Sequence, residues 1–396
     1  MILRHLTPVL KARFAAARSV LLTGARQTGK TTLARQTFPR LPYSSLENPE
    51  DRSFAQEDPK AFLAQFPGGA VLDEIHRVPS LLSTLQGIID EGERKFILTG
   101  SQNILLLEKV SQSLAGRLAL LTLPPLTERE LSGRPVYDPA KHLFAHPGKA
   151  PLGGRPLMDR IVQGGYPEPV TKPKTLSFWF GDYIRTYVER DVRMILNVKD
   201  TLAFQRFLAL CAGRSGQLLN MASLANDVGI SPGTVGHWLS VLQAGGLVYL
   251  LPPYHENFNK RVIKSPKLYF LDTGLLCRLI GIRHSRELKF HPLVGAIFET
   301  YVVSEIRKNL LNLGREPELF FWRDQHGVEV DLLLLRGAKR VPLEIKLGQT
   351  VSGDLFKGLR RWKELSGDKT LPACLLYGGE SEYEREGVTI KSYRSL

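Results

Sequence analysis

The sequence predicts an α/β protein made of several domains, and three patterns along the chain support this prediction. Short apolar segments alternate with helical segments between residues 19 and 123. Two short helices are indicated over 222–252, and the order helix, strand, strand, tight turn, strand, helix is indicated over 290–365. The chain is therefore divided into an α/β core at 1–130, a largely helical connector at 131–215, a two-helix domain at 216–285 and a second α/β domain at 286–396.

Composition and charge narrow the class of protein. Hydrophobic residues make up 43% and charged residues 23% of the 396 residues, which is typical of a globular protein and excludes a disordered chain. The 53 Lys and Arg residues outnumber the 39 Asp and Glu residues, so the formal net charge is +14. This excess favours a polyanionic partner such as DNA, and an otherwise ordinary basic protein is the alternative interpretation.

The cysteines and the apolar segments indicate a compartment. Cys211, Cys277 and Cys374 lie far apart in the sequence, so neither a disulfide framework nor a zinc site is predicted. The N-terminus lacks the pattern of a secretory signal, and no apolar run approaches the roughly 18 residues that a membrane span needs. We therefore expect a cytoplasmic protein without a membrane partner.

The N-terminal core is predicted element by element. Strands are expected at 19–23, 70–73 and 95–99, and helices at 30–38 and 79–91. Strands that are apolar along almost their whole length are typical of a parallel sheet covered on both faces. Their alternation with helices predicts a doubly wound α/β domain.

A phosphate-binding loop lies between the first strand and the first of these helices. The segment from Gly24 to Thr31 reads Gly-Ala-Arg-Gln-Thr-Gly-Lys-Thr and matches G-x-x-x-x-G-K-[ST] at every fixed position. Backbone N–H groups of such a loop surround phosphate oxygens, the lysine reaches the β- and γ-phosphates, and the hydroxyl after it binds Mg²⁺. The predicted ligands are ATP and Mg²⁺, bound by Gly24, Ala25, Arg26, Gln27, Thr28, Gly29, Lys30, Thr31 and Thr32.

Polar residues follow the next two predicted strands. Asp73 is the last residue of the strand at 70–73, and Glu74 follows it. Asp73 is expected to hold the coordination shell of Mg²⁺, and Glu74 is expected to activate the attacking water. The strand at 95–99 ends in Thr99-Gly-Ser101, and Ser101, with Thr99 as the alternative, is the predicted contact of the γ-phosphate.

These motifs resemble the AAA+ ATPase superfamily, and in particular a prokaryotic group of ATP-binding proteins with a C-terminal domain of ill-defined function. Ser113-Leu-Ala-Gly-Arg117 also matches that group. The resemblance implies a homo-oligomer in which Arg117 is an arginine finger for a neighbouring subunit, and a surface arginine in a loop is the alternative. It also implies that 164–193 forms a helical lid. Three arginines of this lid could contact nucleotide or a partner subunit, or could form ion pairs on a solvated helix: Arg185, Arg190 and Arg193.

A helix-turn-helix pattern extends from Leu218 to Leu247. Gly229 supplies the left-handed turn, Ser231 can cap the second helix, and the apolar spacing buries one face of each helix. An apolar strand follows, so the pattern indicates a winged helix. The exposed positions of the second helix contain no arginine, although a basic stretch follows at 260–267. DNA contact without sequence specificity is one interpretation, and a packing or dimerising role is the other.

The C-terminal segment contains two acids and a lysine in two strands joined at Gly337. In a hairpin symmetric about Gly337 and Ala338, Asp331 lies opposite Glu344, and Lys346 shares the strand face of Glu344. Carboxylates grouped in this way can bind Mg²⁺ beside a lysine that positions water. Glu299, on a preceding helix, is the candidate third acid. A cross-strand pair that only neutralises a lysine is the alternative.

This spacing resembles the PD-(D/E)xK nuclease superfamily, with Asp331, Glu344 and Lys346 in the motif positions. The predicted fold class is therefore α/β: a P-loop AAA+ core with a helical lid, a winged helix-turn-helix, and a C-terminal restriction-endonuclease-like domain. The predicted function is Mg²⁺-dependent ATP hydrolysis coupled to DNA binding or remodelling. Two alternatives are a nucleotide-gated signalling or antitoxin-like switch with an inactive nuclease fold, and a DNA translocase without cleavage.

Overall fold

The computed structural model describes residues 2–92, 94–101, 116–148, 155–192, 200–254, 265–368 and 370–396, without the side chains of 189–192 and 336. Its N-terminal part is a five-stranded sheet in the order β2-β3-β4-β1-β5, and every paired neighbour is parallel. The strands are β1 (Ser19–Thr23), β2 (Tyr43–Ser45), β3 (Val71–Asp73), β4 (Ile97–Thr99) and β5 (Leu118–Thr122). The helices are α1 (Thr7–Ala16), α2 (Lys30–Thr37), α3 (Pro49–Glu57), α4 (Pro59–Ala64) and α5 (Leu81–Glu91).

Apolar side chains cover both faces of this sheet, as the sequence predicts. Leu21 of β1 belongs to a core with the buried side chains of α4 and α5, whereas Val20 and Leu22 belong to a core with Leu10 of α1 and Leu33 of α2. Successive residues of a strand point to opposite faces, so one strand serves both cores. The predicted strands and helices are confirmed to within two residues, whereas α1, β2, α3, α4 and β5 were not individually predicted.

The connector is helical and rich in aromatic contacts. Its helices are α6 (Glu128–Leu131), α7 (Pro139–His142), α8 (Leu157–Gln163), α9 (Pro167–Thr171), α10 (Leu176–Tyr183), a π-helical continuation at Ile184–Val192, and α11 (Thr201–Gly213). Tyr183 lies between the rings of Trp179 and Tyr187, with centroid distances of 5.0 and 5.2 Å. The ring centroid of Tyr166 also lies 4.9 Å from that of Tyr183, so packed aromatic rings hold together residues 164–192 of the segment predicted as the lid.

The predicted pair of helices is present. These are α12 (Met221–Val228) and α13 (Pro232–Ala244), and Gly229 between them has φ 85°. Ser231 accepts a hydrogen bond from the Thr234 N–H at 3.1 Å, which caps α13. Strands β6 (Gln217–Leu218), β7 (Val248–Leu251) and β8 (Lys267–Phe270) form an antiparallel sheet in the order β6-β8-β7 beside these helices.

The C-terminal part is a mixed six-stranded sheet in the order β13-β14-β12-β11-β10-β9. Its strands are β9 (Leu319–Arg323), β10 (Glu329–Arg336), β11 (Lys339–Lys346), β12 (Cys374–Tyr377), β13 (Tyr383–Arg385) and β14 (Val388–Ser392). Its helices are α14 (Thr273–Leu279), α15 (Ser285–Lys289), α16 (Val294–Asn312) and α17 (Lys357–Leu365). Leu332 pairs with Leu343, and Arg336 with Lys339, which is the hairpin register that the sequence predicts.

One hydrophobic core runs through this whole C-terminal half. Buried apolar side chains from Tyr137 to Leu396 form a single cluster, so the connector, the two-helix segment and the mixed sheet share their core. No helix in the described ranges is long and apolar enough to cross a membrane. Arg193 and most of the basic stretch 260–267 lie outside the described residues, as does the side chain of Arg190.

Candidate functional site

The phosphate loop connects β1 to α2 at the carboxyl edge of the parallel sheet. Gly24 has φ 149° and lies so close to the residue after β5 that a Cβ there would overlap the Leu123 carbonyl oxygen. Gly29 has φ 92° and precedes the first residue of α2. The Thr28 hydroxyl donates to the Ala25 carbonyl at 2.9 Å, which closes the turn. Both glycines are thus required by backbone conformation or by close packing.

Lys30 begins α2, and its side chain folds back over the loop. Its Nζ donates to the carbonyl oxygens of Gly24 at 3.1 Å and Ala25 at 2.9 Å. Burial lowers the pKa of this ammonium, while the charges of Glu74 and Asp73 act in the opposite direction. The lysine is therefore a buried cation within the loop, at the position that the motif assigns to it.

Asp73 accepts hydrogen bonds from three hydroxyl groups at the end of β3. Thr31 Oγ1 lies 2.9 and 3.0 Å from its two carboxylate oxygens, and Tyr43 Oη donates to Oδ2 at 3.0 Å. Thr99 Oγ1 also contacts Oδ1. A hydroxyl and a carboxylate are oxygen ligands of the kind that Mg²⁺ prefers, so Thr31 and Asp73 fit the predicted metal role.

Glu74 follows β3 with φ 56°, in the left-handed region that non-glycine residues seldom occupy. Its Oε2 lies 2.9 Å from His76 Nδ1 and accepts from the Ser101 N–H at 3.4 Å. Burial opposes ionisation of this carboxyl, but His76 and the charge of Lys30 prevail and lower the pKa of Glu74 to about 2. The carboxylate is therefore charged and directed toward the end of β4.

Some of the other predicted site residues lie at this site, and others lie away from it. Thr99 contacts Asp73 through its side chain, whereas Ser101 contacts Glu74 through its backbone N–H. Thr32 is exposed on α2. Arg117 precedes β5, and its Nε lies 2.6 Å from Asp90 Oδ1. It therefore lies at the amino ends of the parallel strands, whereas the phosphate loop lies at their carboxyl ends.

Arg185 lies on the exposed surface of the lid. Its Nη2 is 3.6 Å from Asp182, three residues earlier, and its side chain is 73% exposed. This contact agrees with the ion-pair interpretation of the lid arginines. It also shows that Arg185 is not directed into the phosphate loop in this conformation.

Two contacts to the phosphate loop were missed by the sequence analysis. Arg4 donates to the carbonyl oxygens of Thr28 at 2.8 Å and Pro124 at 2.7 Å, and its Nε lies 3.0 Å from Glu130. From the lid, Tyr183 Oη donates to the Arg26 carbonyl at 3.4 Å. No local sequence pattern predicts these contacts, because each of them joins segments that are far apart in the chain.

A further loop residue contacts the lid through its side chain. The Arg26 guanidinium lies 5.7 Å from the centroid of the Tyr187 ring, within the range of a cation–π contact. Gln27 beside it is exposed and has φ 63°. The loop is therefore held from the N-terminal segment on one side and from the lid on the other.

The C-terminal acids and lysine converge as the hairpin register requires. Lys346 Nζ lies 3.2 Å from Asp331 Oδ2 and 2.7 Å from Glu344 Oε1. Asp331 Oδ2 also accepts from the Ile345 N–H at 2.8 Å. Burial and the nearby charge of Asp331 raise the pKa of Glu344 well above its usual value. The predicted cluster of Asp331, Glu344 and Lys346 is therefore present as a set of contacts.

A lysine lies among the acids that were predicted to bind a second metal, which are Glu299, Asp331 and Glu344. Lys267 Nζ lies 3.1 Å from Glu299 Oε1 and 4.0 Å from Asp331 Oδ1, and it also contacts Glu329. A buried ammonium thus lies among the acids that were expected to bind the metal. In the described part of the chain, no group of three or more His, Cys, Asp or Glu side chains is arranged to hold a metal ion. Neither Lys267 nor Glu329 was identified from the sequence.

Comparison with known families agrees with the N-terminal site. Residues 16–132 match the family described as AAA domain. Residues 154–286 and 294–396 match two families described only as domains of unknown function, DUF8612 and DUF4143. The phosphate loop, Asp73 and Glu74 all lie within the AAA match.

Related proteins and solved structures were also found. An uncharacterized protein of Mycobacterium tuberculosis is 32% identical over 340 residues, which cover 84% of this chain and 71% of the relative. The Walker-type ATPase of Pyrococcus abyssi is 14% identical, with a TM-score of 0.42 and coverage of 69% of this chain and 94% of that chain. The Aeropyrum pernix ORC1 protein, solved in complex with DNA, is 16% identical, with a TM-score of 0.31 and coverage of 68% and 90%. The AAA match over residues 16–132 supports an AAA-type ATPase, and the chain belongs to the same family as the mycobacterial protein.

Proposed function

We propose that the chain hydrolyses ATP with Mg²⁺ at the phosphate loop and uses the turnover to change its contact with DNA. The observation that carries the ATPase part is the buried Lys30 ammonium next to the Asp73–Glu74 pair. Its hydrogen bonds go to loop carbonyl oxygens, which phosphate oxygens can replace as acceptors. The residues present fit both a nucleoside triphosphate and its metal.

Each residue of the site has a separate role in this proposal. Backbone N–H groups of the loop and the N-terminus of α2 bind phosphate oxygens, and Lys30 binds the terminal phosphates. Thr31 and Asp73 hold Mg²⁺, which when bound neutralises phosphate charge. Glu74 orients the attacking water and accepts its proton. Thr99 keeps Asp73 in place, and Ser101 positions Glu74.

Replacing Lys30 with Ala tests the ATPase assignment. We expect turnover to fall about 100-fold or more, because the cation that stabilises charge on the transferred phosphoryl group is lost. A matched control is Lys339→Ala, which removes a lysine that is 58% exposed on the C-terminal hairpin. Turnover that stays at the wild-type rate in the Lys30 variant, measured by phosphate release, would remove the central assignment.

The DNA part of the proposal is supported by charge and by the helix pair α12–α13. His237 is exposed on α13, and Thr234, Ser240 and Gln243 are partly exposed on the same helix, so polar side chains are available for groove or backbone contacts. The basic stretch 260–267 follows in sequence, and the whole chain has a formal charge of +14. Because α13 carries no arginine, we propose binding without sequence specificity.

Subunit contact is the third part of the proposal. Arg117 precedes the first residue of β5, and that residue pairs with the first residue of β1, whereas the phosphate loop follows the last residue of β1. Arg117 is thus separated from its own nucleotide site by the length of the strand. This position supports an arginine finger that acts on a neighbouring copy in a homo-oligomer, and the finger would have to leave Asp90 to do so.

A nucleotide-gated switch is the second candidate function, and one set of contacts favours it. Glu128 of α6 donates its N–H to Glu305 of α16 at 2.9 Å, and Lys308 donates to the Leu126 carbonyl at 3.1 Å. Arg4 links the same region to the phosphate loop through Glu130 and Thr28. Nucleotide binding could therefore alter the C-terminal half without any DNA.

One experiment separates the two candidates. ATP turnover is measured alone and with single-stranded, duplex and branched DNA, and each DNA is afterwards run on a gel. DNA-stimulated turnover supports the DNA-acting ATPase, whereas slow turnover that no DNA changes supports the switch. The predicted cleavage needs a divalent metal among Glu299, Asp331 and Glu344, where the structure has the Lys267 ammonium. It would therefore require this lysine to withdraw.

A further inference from the structure

A buried lysine from the small three-stranded sheet reaches into the acid cluster of the C-terminal sheet. Lys267 is the first residue of β8, where its backbone pairs with Leu218 of β6 and Leu251 of β7. Its side chain leaves this sheet and is only 4% exposed. Burial of an unpaired ammonium is strongly unfavourable, so the acids around it determine whether it can lie there.

Three carboxylates surround the ammonium. Glu299 Oε1 of α16 lies at 3.1 Å, Asp331 Oδ1 of β10 lies at 4.0 Å, and Glu329 of β10 is in direct contact. Tyr269, two residues after Lys267 on the same strand face, donates its hydroxyl to Glu299 Oε1 at 2.6 Å. Carboxylates from a helix and a strand thus converge on one cation, as they would on a divalent metal.

Asp331 and Glu329 also have basic or backbone partners for their second carboxylate oxygens. Asp331 directs Oδ1 toward Lys267, while its Oδ2 accepts from Lys346 at 3.2 Å and from the Ile345 N–H at 2.8 Å. Glu329 Oε2 lies 3.3 Å from Arg323. Within these described contacts, three carboxyl groups face three basic side chains, so little negative charge is left for a further cation.

We propose that Lys267 is the resident cation of this cluster, so that Glu299, Glu329 and Asp331 bind its ammonium in place of a divalent metal. The cluster then joins the three-stranded sheet to the C-terminal sheet and does not cleave nucleic acid. A metal ion could enter only by displacing a buried lysine or by adding two positive charges beside Lys267 and Lys346. This inference concerns a site remote from the phosphate loop and does not depend on ATP turnover.

Titration of Mn²⁺ into the nucleotide-free, full-length chain tests the proposal. Isothermal calorimetry is expected to show the same Mn²⁺ binding for the wild type and for the Asp331→Asn variant, because no Mn²⁺ binds at this cluster. Lys267→Met keeps the length of the side chain and removes its charge, so we expect this variant to gain one Mn²⁺ site that the wild type lacks. Lys267→Arg keeps a cation and is expected to gain none.

The matched control is Lys308→Met, because Lys308 is also a buried lysine that contacts a glutamate, Glu305, but lies outside the cluster. It should lower the melting temperature without any gain in Mn²⁺ binding. Wild-type Mn²⁺ binding that Asp331→Asn abolishes would overturn the proposal. So would DNA cleavage with Mn²⁺ that the same change abolishes. Both comparisons hold even where Lys267→Met does not fold, and neither depends on the ATPase site.

Discussion

Glu74 combines a reactive position with an unfavourable backbone conformation. Its φ of 56° places a side-chain-bearing residue in the left-handed region, at a cost of about 1 kcal/mol or more. The left-handed turn follows directly after β3, and the carboxylate contacts His76 and the Ser101 N–H. A residue held in this way can orient water without first rearranging its own backbone.

Replacing Glu74 with Gln should separate binding from hydrolysis. The amide keeps the size of the side chain but cannot accept a proton, so we expect turnover to fall about 100-fold or more while ATP binding persists. Fluorescent-nucleotide titration and phosphate release measure the two properties. As a control, Glu364→Gln removes a surface acid of α17 that is 65% exposed, and wild-type turnover is expected there. Fast hydrolysis by the Glu74 variant would assign the water to another residue.

The same carboxyl predicts a pH dependence of stability. Because the pKa of Glu74 is about 2 in the folded chain and higher in an unfolded chain, its ionised form stabilises the fold above roughly pH 4.5. That contribution is lost as the pH falls from about 4.5 to about 2. The stability advantage of the wild type over Glu74→Gln should therefore shrink over this range in thermal melts. An advantage that grows on acidification would contradict the low pKa.

Tyr43 positions the Asp73 carboxylate, which we propose binds the metal. Its hydroxyl donates to Asp73 Oδ2 at 3.0 Å, and the Arg35 guanidinium lies 4.6 Å from its ring centroid. Tyr43→Phe removes this hydrogen bond and keeps the ring, so the Mg²⁺ concentration for half-maximal turnover should rise about tenfold. Turnover at saturating Mg²⁺ should change little. Mn²⁺ titration of the nucleotide-bound chain gives a readout separate from activity, and an unchanged metal affinity in both assays would exclude this role.

At the scale of elements, the segment before α1 determines how the phosphate loop is held. The Arg4 guanidinium bridges the loop carbonyl of Thr28, the Pro124 carbonyl after β5, and the Glu130 carboxylate of α6. Burial alone would raise the pKa of Glu130, but Arg4 and the backbone N–H groups of Thr127 and His5 lower it. The N-terminal segment therefore connects the loop to the connector helices.

Removing Arg4 should affect both stability and nucleotide binding. Arg4→Met leaves the buried Glu130 carboxylate without its cation, so we expect the free energy of unfolding to fall by about 3–5 kcal/mol. The KM for ATP should rise, because the Thr28 carbonyl loses its donor. Arg18→Met is the matched control: Arg18 is 57% exposed and pairs with Asp90, so its loss should cost less than about 1 kcal/mol. Equal effects of the two variants, in denaturant melts, would show that Arg4 acts only as a surface charge.

At the scale of the whole molecule, the excess of basic residues predicts how the proposed DNA binding depends on salt. If contacts are made to phosphates, affinity should fall at least about tenfold between 50 and 200 mM salt, through release of bound counterions. Replacing Lys260 and Arg261 with Ala should lower the slope of log affinity against log salt by about 1 for each phosphate contact that is lost. Lys339→Ala serves again as the control. Affinity that does not change with salt, measured by fluorescence anisotropy, would argue against a phosphate-binding surface.

The connector, the two-helix segment and the C-terminal sheet share one hydrophobic core. The cluster of buried side chains extends from Tyr137 to Leu396, and Lys267 adds an ionic contact between two of its sheets. Relative motion within this half would expose a large apolar surface. We therefore expect movement to be concentrated where the N-terminal sheet meets it, near the contacts of Glu128 with Glu305 and of Lys308 with Leu126.

The sequence by itself determined the phosphate loop, the strand-terminal acids and the hairpin that brings Asp331 to Glu344. Each of these depends on short-range rules: a spacing of glycines and lysine, the end of an apolar strand, and the alternation of side chains along two paired strands. The tertiary structure alone decided that Arg4 and Tyr183 contact the loop, that Tyr43 contacts Asp73, and that Lys267 lies among the C-terminal acids. Contacts of this kind join residues that are distant in sequence. The partner of a buried charge is determined by tertiary packing, which brings the two residues together, and a local sequence pattern does not predict it.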